Sequence, residues 1–333
     1  MEDRYGHRIS YLRVSITDRC NERCAYCMPG EIHEWLPREG ILSFEEMLRV
    51  VENAVALGVS KVRVTGGEPL TRRGVVDFMR RLGEIHGLQD IGLSTNGTLL
   101  ARRIESGETM ANALRNCRIN AVNISLDTLD RTQYAAITGR DFLPDVLAGI
   151  DSAIAAGFPQ IKLNTVLMRG RNEEQLVPLI EFANARELIL RFIELMPVST
   201  NEVLNEENFM ATGHAKRLIE SHYGPMIPEP SFRTNGPATY YQLPGREQRL
   251  GFIGAMTNLH FCESCNKLRL TCDGKLRPCL GSALEFDILT PLRAGATDED
   301  LRRFIVDVVD RKPEQHDFRN NYQPGRKMIA IGG

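Results

Sequence analysis

Residues 20–27 read Cys20-Asn21-Glu22-Arg23-Cys24-Ala25-Tyr26-Cys27, so three cysteines follow the spacing CxxxCxxC. The stretch comes directly after Tyr11–Ile16, an apolar segment that predicts a β-strand. Thiolates are soft ligands that suit iron–sulfur clusters and zinc. Three thiolates on one loop can bind three corners of a 4Fe–4S cube and leave the fourth iron open to an exchangeable ligand. A zinc ion would need a fourth ligand nearby, for which His33 is the candidate.

Strand and helix patterns alternate around and beyond this loop. The candidate strands are Tyr11–Ile16, Lys61–Thr65, Ile91–Thr95, Ala121–Leu126, Ile161–Leu167 and Leu188–Leu195. Ser43-Phe44-Glu45-Glu46 is a capping box that predicts the start of a helix. Six successive βα units require a parallel sheet, because each return crosses over through a helix. Eight units would close a full barrel, so six predict an α/β fold, either an incomplete TIM-like (β/α)6 barrel or a doubly wound sheet.

Polar residues gather where these strands end. Gly66–Pro69, Ser94–Gly97 and Ser125–Asp127 all stand at such positions, and the C-terminal rim of a parallel sheet is where ligands bind. Within the strands themselves, Arg63 and Lys162 interrupt apolar sequence. Either residue alone could lie at a strand edge and point to water. Together they favour a polar lumen.

Four further cysteines lie in residues 262–279. Asp273-Gly274 between two apolar runs predicts a hairpin with a two-residue turn. Counted outward from that turn, the register pairs Leu268 with Cys279, which brings Cys279 towards Cys262 and Cys265. These three thiolates form a candidate for a second cluster with one open iron.

Two other residues keep a zinc ribbon open as an alternative for this second group. Cys272 or His260 would supply the fourth ligand. Cys272, however, stands beside the predicted turn, about 13 Å along the ladder from Leu268 at roughly 3.3 Å per residue. Cys117 stands apart from both groups and is predicted to be an inert buried thiol.

The composition narrows the class of protein. The chain has 333 residues, of which 42% are hydrophobic and 25% charged, with a net charge of −2, which is typical of a soluble globular protein and gives no bulk attraction to nucleic acid or an anionic membrane. No apolar run reaches membrane-spanning length and no signal peptide is evident, so we predict a cytoplasmic protein, where disulfides are disfavoured. A Pro- and Gly-rich stretch at Met226–Gly236 predicts two domains, 1–225 and 226–333.

Basic residues are placed where an anion would bind. Arg13, Arg63 and Lys162 lie on predicted barrel strands, while Lys267 and Arg269 follow Cys265 directly. Several cations inside a cavity are costly unless an anion fills it. A triphosphate or a similar ligand accounts for the set.

With both cysteine groups placed, the chain resembles over its full length the GTP 3′,8-cyclases of molybdenum-cofactor biosynthesis, which are radical S-adenosylmethionine (SAM) enzymes. The resemblance rests on Thr17–Cys20, Gly66–Pro69, Ser94–Gly97, Ser125–Asp127, Asn164–Met168, Arg191–Met196, Cys262–Arg269 and Ile331–Gly333. It implies a lyase that carries two 4Fe–4S clusters and converts GTP to (8S)-3′,8-cyclo-7,8-dihydroguanosine 5′-triphosphate, the first step towards molybdopterin. A deoxyadenosyl radical formed from SAM would abstract hydrogen from the ribose C3′ of GTP, and the open iron of the second cluster would hold the guanine.

The resemblance also implies roles for the residues at matching positions. Cys20, Cys24 and Cys27 would bind the first cluster, and Cys262, Cys265 and Cys279 the second. The SAM contacts would be Tyr26, Gly67, Ser125 and Met196. The GTP contacts would be Arg13, Arg63, Ser94, Lys162, Lys267, Leu268 and Arg269. The catalytic residues would be the three N-terminal cysteines and Arg269.

Three positions of this chain bear on that match. Lys267 stands where the family commonly has Arg, so a bidentate contact there would become a single-point contact. Cys272 stands where the family usually has a small residue without a thiol. The terminal Gly332-Gly333 would reach into the active site, as the tail does in this family.

Two alternatives remain at this stage. One is another twin-cluster radical SAM enzyme that matures a peptide or a heme, and the other is a zinc-stabilised binding module. Besides GTP, the implied partners are an electron donor of the reductase or flavodoxin type and, for a homodimer, a second copy of the chain. No nucleic-acid or membrane partner is expected.

Overall fold

The computed structural model describes residues 1–28, 35–198, 204–234, 236–320, 322 and 325–332. Its strands are β1 (Tyr11–Ser15), β2 (Lys61–Thr65), β3 (Asp90–Thr95), β4 (Ala121–Ser125), β5 (Gln160–Leu167), β6 (Ile189–Glu194), β7 (Ile227–Pro228), β8 (Thr239–Gln242), β9 (Arg249–Ile253), β10 (Lys267–Leu270), β11 (Lys275–Arg277) and β12 (Phe286–Asp287). Its α-helices are α1 (Phe44–Ala56), α2 (Val75–Glu84), α3 (Met110–Arg115), α4 (Arg131–Thr138), α5 (Leu143–Ala155), α6 (Leu176–Asn184), α7 (Thr212–Tyr223), α8 (Leu289–Arg293), α9 (Asp298–Asp310) and α10 (Met328–Ile331).

The strands form one sheet in the order β12-β11-β10-β1-β2-β3-β4-β5-β6-β9-β8-β7. Strands β1 to β6 pair in parallel and in chain order, as the six βα units predict. The two ends of the sheet do not pair with each other, which agrees with an incomplete barrel rather than a closed one.

Local sequence explains why the connecting helices begin where they do. Ser43 accepts a hydrogen bond from the amide of Glu46, and the Glu46 carboxylate accepts one from the amide of Ser43, so the predicted capping box forms. The face of α1 that carries Met47, Val50 and Val51 is then buried in the main core. None of the helices in the described part of the chain is long and apolar enough to cross a bilayer.

The C-terminal third extends the sheet at both edges. Strand β9 pairs in parallel with β6, and strand β10 pairs in parallel with β1. Because β1 leads directly into the loop of Cys20–Cys27, this pairing brings the second cysteine group next to the first. The sequence did not predict which strands the C-terminal segment would join.

The register predicted for the hairpin β10–β11 is wrong by one residue. Arg269 pairs with Arg277, and Leu270 pairs with Leu276. The reason is the turn, which is a three-residue loop, Cys272–Gly274, closed by a hydrogen bond from the Thr271 amide to the Lys275 carbonyl at 2.9 Å. Gly274 takes a left-handed conformation, with φ +73°, as such loops require. The shift still brings Cys279 back to the level of the cysteines that precede β10.

Two cysteines lie away from both groups, and one histidine close to the second group in sequence is exposed and held by a neighbouring carboxylate. Cys272 is fully buried in the main core, and its carbonyl accepts a hydrogen bond from the Leu42 amide. Cys117 is buried after α3, as predicted, with its sulfur 3.2 Å from the carbonyl oxygen of Ala113. His260 is exposed and contacts Glu263. Neither Cys272 nor His260 is therefore in position to complete a zinc site with the second group.

Candidate active site

One cavity of about 360 Å³ collects residues from strands across the sheet, a size typical of small-molecule sites. Sixteen of the predicted site residues line it: Arg13, Cys20, Cys24, Tyr26, Cys27, Arg63, Gly67, Ser94, Ser125, Lys162, Met196, Cys262, Cys265, Lys267, Arg269 and Cys279. The sheet therefore curves around a polar lumen, and the alternative that Arg63 and Lys162 point to water is wrong.

Leu268 is the one predicted site residue whose side chain the structure places elsewhere. It is buried in the main apolar core, whereas its neighbours Lys267 and Arg269 line the cavity. Successive residues of a strand point to opposite faces of the sheet. A side chain between two inward-facing cations must therefore face outward.

The loop of the first cysteine group is held against the end of α4. The amide of Arg23 donates to the carbonyl of Thr138 at 2.7 Å, and the amide of Ala25 donates to the carbonyl of Ile137 at 2.9 Å. Tyr26 donates from its hydroxyl to Asp127, which follows β4, at 2.7 Å. These contacts fix the cysteine loop to the C-terminal rim of the sheet.

The Gly66-Gly67-Glu68-Pro69 segment packs on the same loop. A Cβ atom at Gly67 would lie 2.4 Å from the carbonyl oxygen of Arg19, and one at Gly66 would lie 2.7 Å from that of Thr17. The glycines are thus needed for the close approach of these two segments. Glu68 then accepts hydrogen bonds from the Asn96 amide at 2.7 Å and the Thr95 hydroxyl at 2.8 Å, which ties the segment to the end of β3.

Buried carboxyl groups surround the first cysteine group. Burial raises the pKa of Glu22 to about 7, that of Glu68 to about 7 and that of Asp127 to about 6. Burial, reinforced by the negative charge of Glu68, raises the pKa of the Cys20 thiol to about 12. Burial therefore favours the neutral form of these carboxyl groups, and a cation bound at this end would favour their charged form.

The second cysteine group has the opposite surroundings. The amide of Cys265 donates to the carbonyl of Cys262 at 2.9 Å in a tight turn, and the return of the hairpin brings up Cys279. Burial opposes ionisation of Cys265, but the charges of Lys312 and Lys267 outweigh it and lower its pKa. Positive charge therefore favours a thiolate at this end of the cavity.

The donor sets suit shared clusters better than single metal ions. Among the described residues, no three histidine, cysteine or carboxylate side chains are placed to bind one metal ion. A zinc ion needs four ligands at about 2.0–2.3 Å around one point. Thiolates of a four-iron cluster bind separate irons, so three cysteines around an open space fit such a cluster. His33, the zinc ligand considered for the first group, lies outside the described residues.

The cations of the cavity are held by neutral partners. The Arg63 Nε donates to the Tyr11 hydroxyl at 2.6 Å and its Nη1 donates to the carbonyl of Leu93 at 3.0 Å. Arg191 donates to Asn164 Oδ1 at 2.9 and 2.6 Å. Burial, together with Arg191 and Arg63, lowers the pKa of Lys162 to about 7. The cavity thus has a surplus of positive charge that an anion would offset.

Several groups of this site were not predicted from the sequence. Tyr11 and Asn123 line the cavity but carry no motif, and only the inward face of their strands indicated them. Arg191 also lines it; this residue begins the Arg191–Met196 motif but was given no site role. Asn123 Oδ1 and Arg13 Nε are buried and have no hydrogen-bond partner among the described residues. Since buried polar atoms are normally paired, these two atoms indicate a polar ligand in the cavity.

The C-terminal tail enters the same cavity. Met328 and Ile329 line it, and the carbonyl of Gly332 accepts a hydrogen bond from Arg269 Nη1 at 3.1 Å. A Cβ atom at Gly332 would lie 2.7 Å from that of Ser15, so only glycine fits at this close approach. Gly333 lies outside the described residues.

Comparisons with known proteins decide the family. Residues 14–183 match the model of the Radical SAM superfamily, and residues 188–318 match the model named Molybdenum Cofactor Synthesis C. A GTP 3′,8-cyclase of Thermodesulfovibrio yellowstonii is 44% identical over the full length of both chains, and one of Pelotomaculum thermopropionicum is 42% identical over the full length of both. The chain belongs to the GTP 3′,8-cyclase family. Membership confirms the predicted fold, the predicted activity and the predicted cofactors, namely two 4Fe–4S clusters and SAM.

Solved structures are similar to this GTP 3′,8-cyclase family member in fold. A Streptococcus suis SuiB structure bound to S-adenosylmethionine has a TM-score of 0.62 at 14% identity and covers 90% of this chain and 68% of SuiB. A structure of anSMEcpe with bound AdoMet has a TM-score of 0.57 at 14% identity and covers 92% of this chain and 82% of that one. At such identities the likeness shows the fold alone, so it gives no support to peptide maturation as the activity here.

Proposed function

We propose that the cavity is the active site at which this chain cyclises GTP, with SAM at the first cysteine group and the nucleotide at the second. The main support for the proposal is that both cysteine groups and six cations line the same cavity. The cations are Arg13, Arg63, Lys162, Arg191, Lys267 and Arg269. A binding module stabilised by zinc would need neither the second thiol group nor this surplus of charge.

The first end of the cavity suits SAM. Cys20, Cys24 and Cys27 would hold the first cluster, and Tyr26, Gly67, Ser125 and Met196 line the adjoining wall. When bound, the cluster and SAM supply a 5′-deoxyadenosyl radical that removes the hydrogen atom from the ribose C3′. A sulfonium or ammonium group bound here would favour the charged form of the buried carboxyl groups nearby, and it would be stabilised by them in turn. Tyr26, fixed by Asp127, keeps this wall in place.

The second end suits the nucleotide. Cys262, Cys265 and Cys279 would hold the second cluster beside the guanine. The cations, with Ser94, would bind the triphosphate, because guanidinium groups offer paired donors and an ammonium group a point charge. Arg269 also contacts the tail at Gly332, so closure of the tail over the nucleotide would exclude water from the reacting atoms.

The same proposal covers the roles of the two domains, the electron donor, the oligomeric state and the cellular location. Residues 1–225 would form the partial barrel that carries the first cluster, and residues 226–333 the C-terminal domain that carries the second cluster and the Gly-Gly tail. The reductant would be a reductase or a flavodoxin-like protein, and a second copy of the chain could form a homodimer. None of the eight cysteines, all of which lie in the described residues, forms a disulfide, which suits the reducing cytoplasm.

The experiment is an anaerobic assay of the reconstituted, reduced protein with SAM and GTP. We expect 5′-deoxyadenosine and the cyclised nucleotide to form together, and 5′-deoxyadenosine to fall to background without GTP. ATP in place of GTP is the matched control, because it supplies the same triphosphate with a different base. Formation of 5′-deoxyadenosine at the same rate with ATP or with no nucleotide would contradict the proposal.

A further inference from the structure

Lys312 is a buried lysine directly behind the second cysteine group. It follows α9 and is only 4% exposed. Its ammonium donates hydrogen bonds to the carbonyl of Pro278 and, at 3.4 Å, to the carbonyl of Lys267. Pro278 precedes Cys279, and Lys267 stands two residues after Cys265. One side chain therefore joins the two segments that carry the cysteines of this group.

The charge of Lys312 lacks a carboxylate partner in the part of the chain that the structure describes. Both of its hydrogen bonds to the backbone go to neutral carbonyl groups. A buried ammonium without a counter-ion costs several kcal/mol in an apolar environment. Such a residue needs an anion close by.

The nearest source of negative charge is the cysteine group itself. The Lys312 ammonium is within hydrogen-bond reach of the Cys265 side chain. Its bond to the Pro278 carbonyl places it next to Cys279 as well. The first cysteine group has carboxyl groups in the equivalent surroundings, so the arrangement is specific to the second.

We propose that Lys312 is a positioning residue for the second cluster, which it holds by joining the two cysteine segments and by balancing the negative charge of the cluster-bound thiolates. The inference rests on the proposed second cluster of this chain. It differs from a purely structural role in one respect. A structural lysine stabilises the fold with or without the cluster, whereas a counter-ion stabilises it only when the cluster is bound.

The test compares Lys312→Met and Lys312→Gln with wild-type protein, in the cluster-free and the reconstituted form. Methionine removes the charge and the hydrogen bonds, and glutamine removes the charge but keeps a donor for a carbonyl. Lys275→Met is the matched control, since Lys275 lies on the same hairpin near its turn and pairs with Asp287. Iron content, melting temperature and the midpoint potential of the second cluster are measured.

We expect wild type and Lys275→Met to bind about eight irons per chain, as two four-iron clusters require, and Lys312→Met to bind about four. The melting temperature of cluster-free Lys312→Met should equal or exceed that of the wild type. Any second cluster retained by Lys312→Gln should have a lower midpoint potential, because a nearby positive charge has been removed. Cleavage of SAM at the first cluster should survive, which also shows that the variants fold.

Two results would overturn the inference. One is about eight irons in Lys312→Met with an unchanged midpoint potential. The other is an equal drop in melting temperature for the cluster-free and reconstituted forms, which would make Lys312 a structural residue. If wild type itself binds only about four irons, the second cluster has failed, and this outcome is distinct from a failure of Lys312.

Discussion

The two cysteine groups have the same number of thiols but opposite electrostatic surroundings. The first lies among Glu22, Glu68 and Asp127, whose burial raises their pKa values. The second lies beside Lys267, Arg269 and Lys312, and the charges of the two lysines lower the pKa of Cys265. The cavity between them therefore has an acidic end and a basic end.

This polarity matches the charges of the two small molecules that the family uses. SAM carries a sulfonium and an ammonium group, which carboxylates favour. GTP carries a triphosphate, which guanidinium and ammonium groups favour. Equal cysteine counts thus do not imply equal roles, because the residues around each group decide which ligand can share the space beside it.

The largest effect that would test this comparison is the loss of one cluster at a time. Cys24→Ser should abolish SAM cleavage, because the first cluster loses one of its three protein ligands. Cys265→Ser should leave SAM cleavage in place while cyclisation falls sharply. Both are measured as 5′-deoxyadenosine and cyclised product per chain.

Cys117→Ser is the control for these variants, since Cys117 is buried away from both groups. Full cyclisation by Cys265→Ser would show that the second group is not the nucleotide end. Loss of both products in the Cys117 variant would show that cysteine replacement disturbs the fold itself.

An intermediate effect is expected from Lys162 at the basic end. Lys162→Met should weaken GTP binding roughly 30- to 150-fold, because a buried charged contact is worth about 2–3 kcal/mol. In the nucleotide-free protein the same change should raise the melting temperature by about 2 °C or more, because it removes a desolvated charge. Calorimetry and thermal melts measure the two effects.

The pH dependence of that effect follows from the pKa of Lys162, which is about 7 in the folded protein against 10.5 ordinarily. Between these values the unfolded chain binds more protons, so the stability of nucleotide-free wild type should rise with pH. The free-energy cost of burying the charged Lys162 ammonium is fully present below pH 7. The increase in melting temperature from Lys162→Met should therefore be largest there. Lys275→Met is the control. An equal increase in melting temperature for Lys162→Met at all pH values would contradict the lowered pKa of Lys162.

The smallest expected effect is a change in GTP affinity when Lys267 is replaced by arginine, the residue that the family commonly has at this position. Lys267→Arg should tighten GTP binding about fivefold, roughly 1 kcal/mol, because a guanidinium group can bind a phosphate through two donors. Lys275→Arg, on the same hairpin but outside the cavity, should leave the affinity unchanged. If Lys267→Arg does not alter the affinity, Lys267 is not at the phosphate.

The local features of the site were predictable, and the contacts across the sheet were not. The six parallel strands and the capping box at Ser43 were expected from periodicity and are present. The hairpin register was off by one, because the sequence Asp273-Gly274 suits two loop lengths and only the packed strands select one. Leu268 was predicted to contact GTP only because its position matches the family, and such a match does not say on which face of a strand a side chain lies.

The two cysteine groups, the GGEP segment and the basic residues could be identified from the sequence, because ligand spacing and residue chemistry are local properties of the chain. The folded chain was needed to show that β10 lies beside β1, that the tail meets Arg269 and that Lys312 lies behind the second cysteine group. These contacts join residues that are far apart in the chain: 34 positions for Lys312 and Pro278, 63 for Arg269 and Gly332, and 256 for Tyr11 and Lys267. They depend on which strand edges remain free to pair and which side chains share a buried space, and those properties arise only when the whole sheet is assembled.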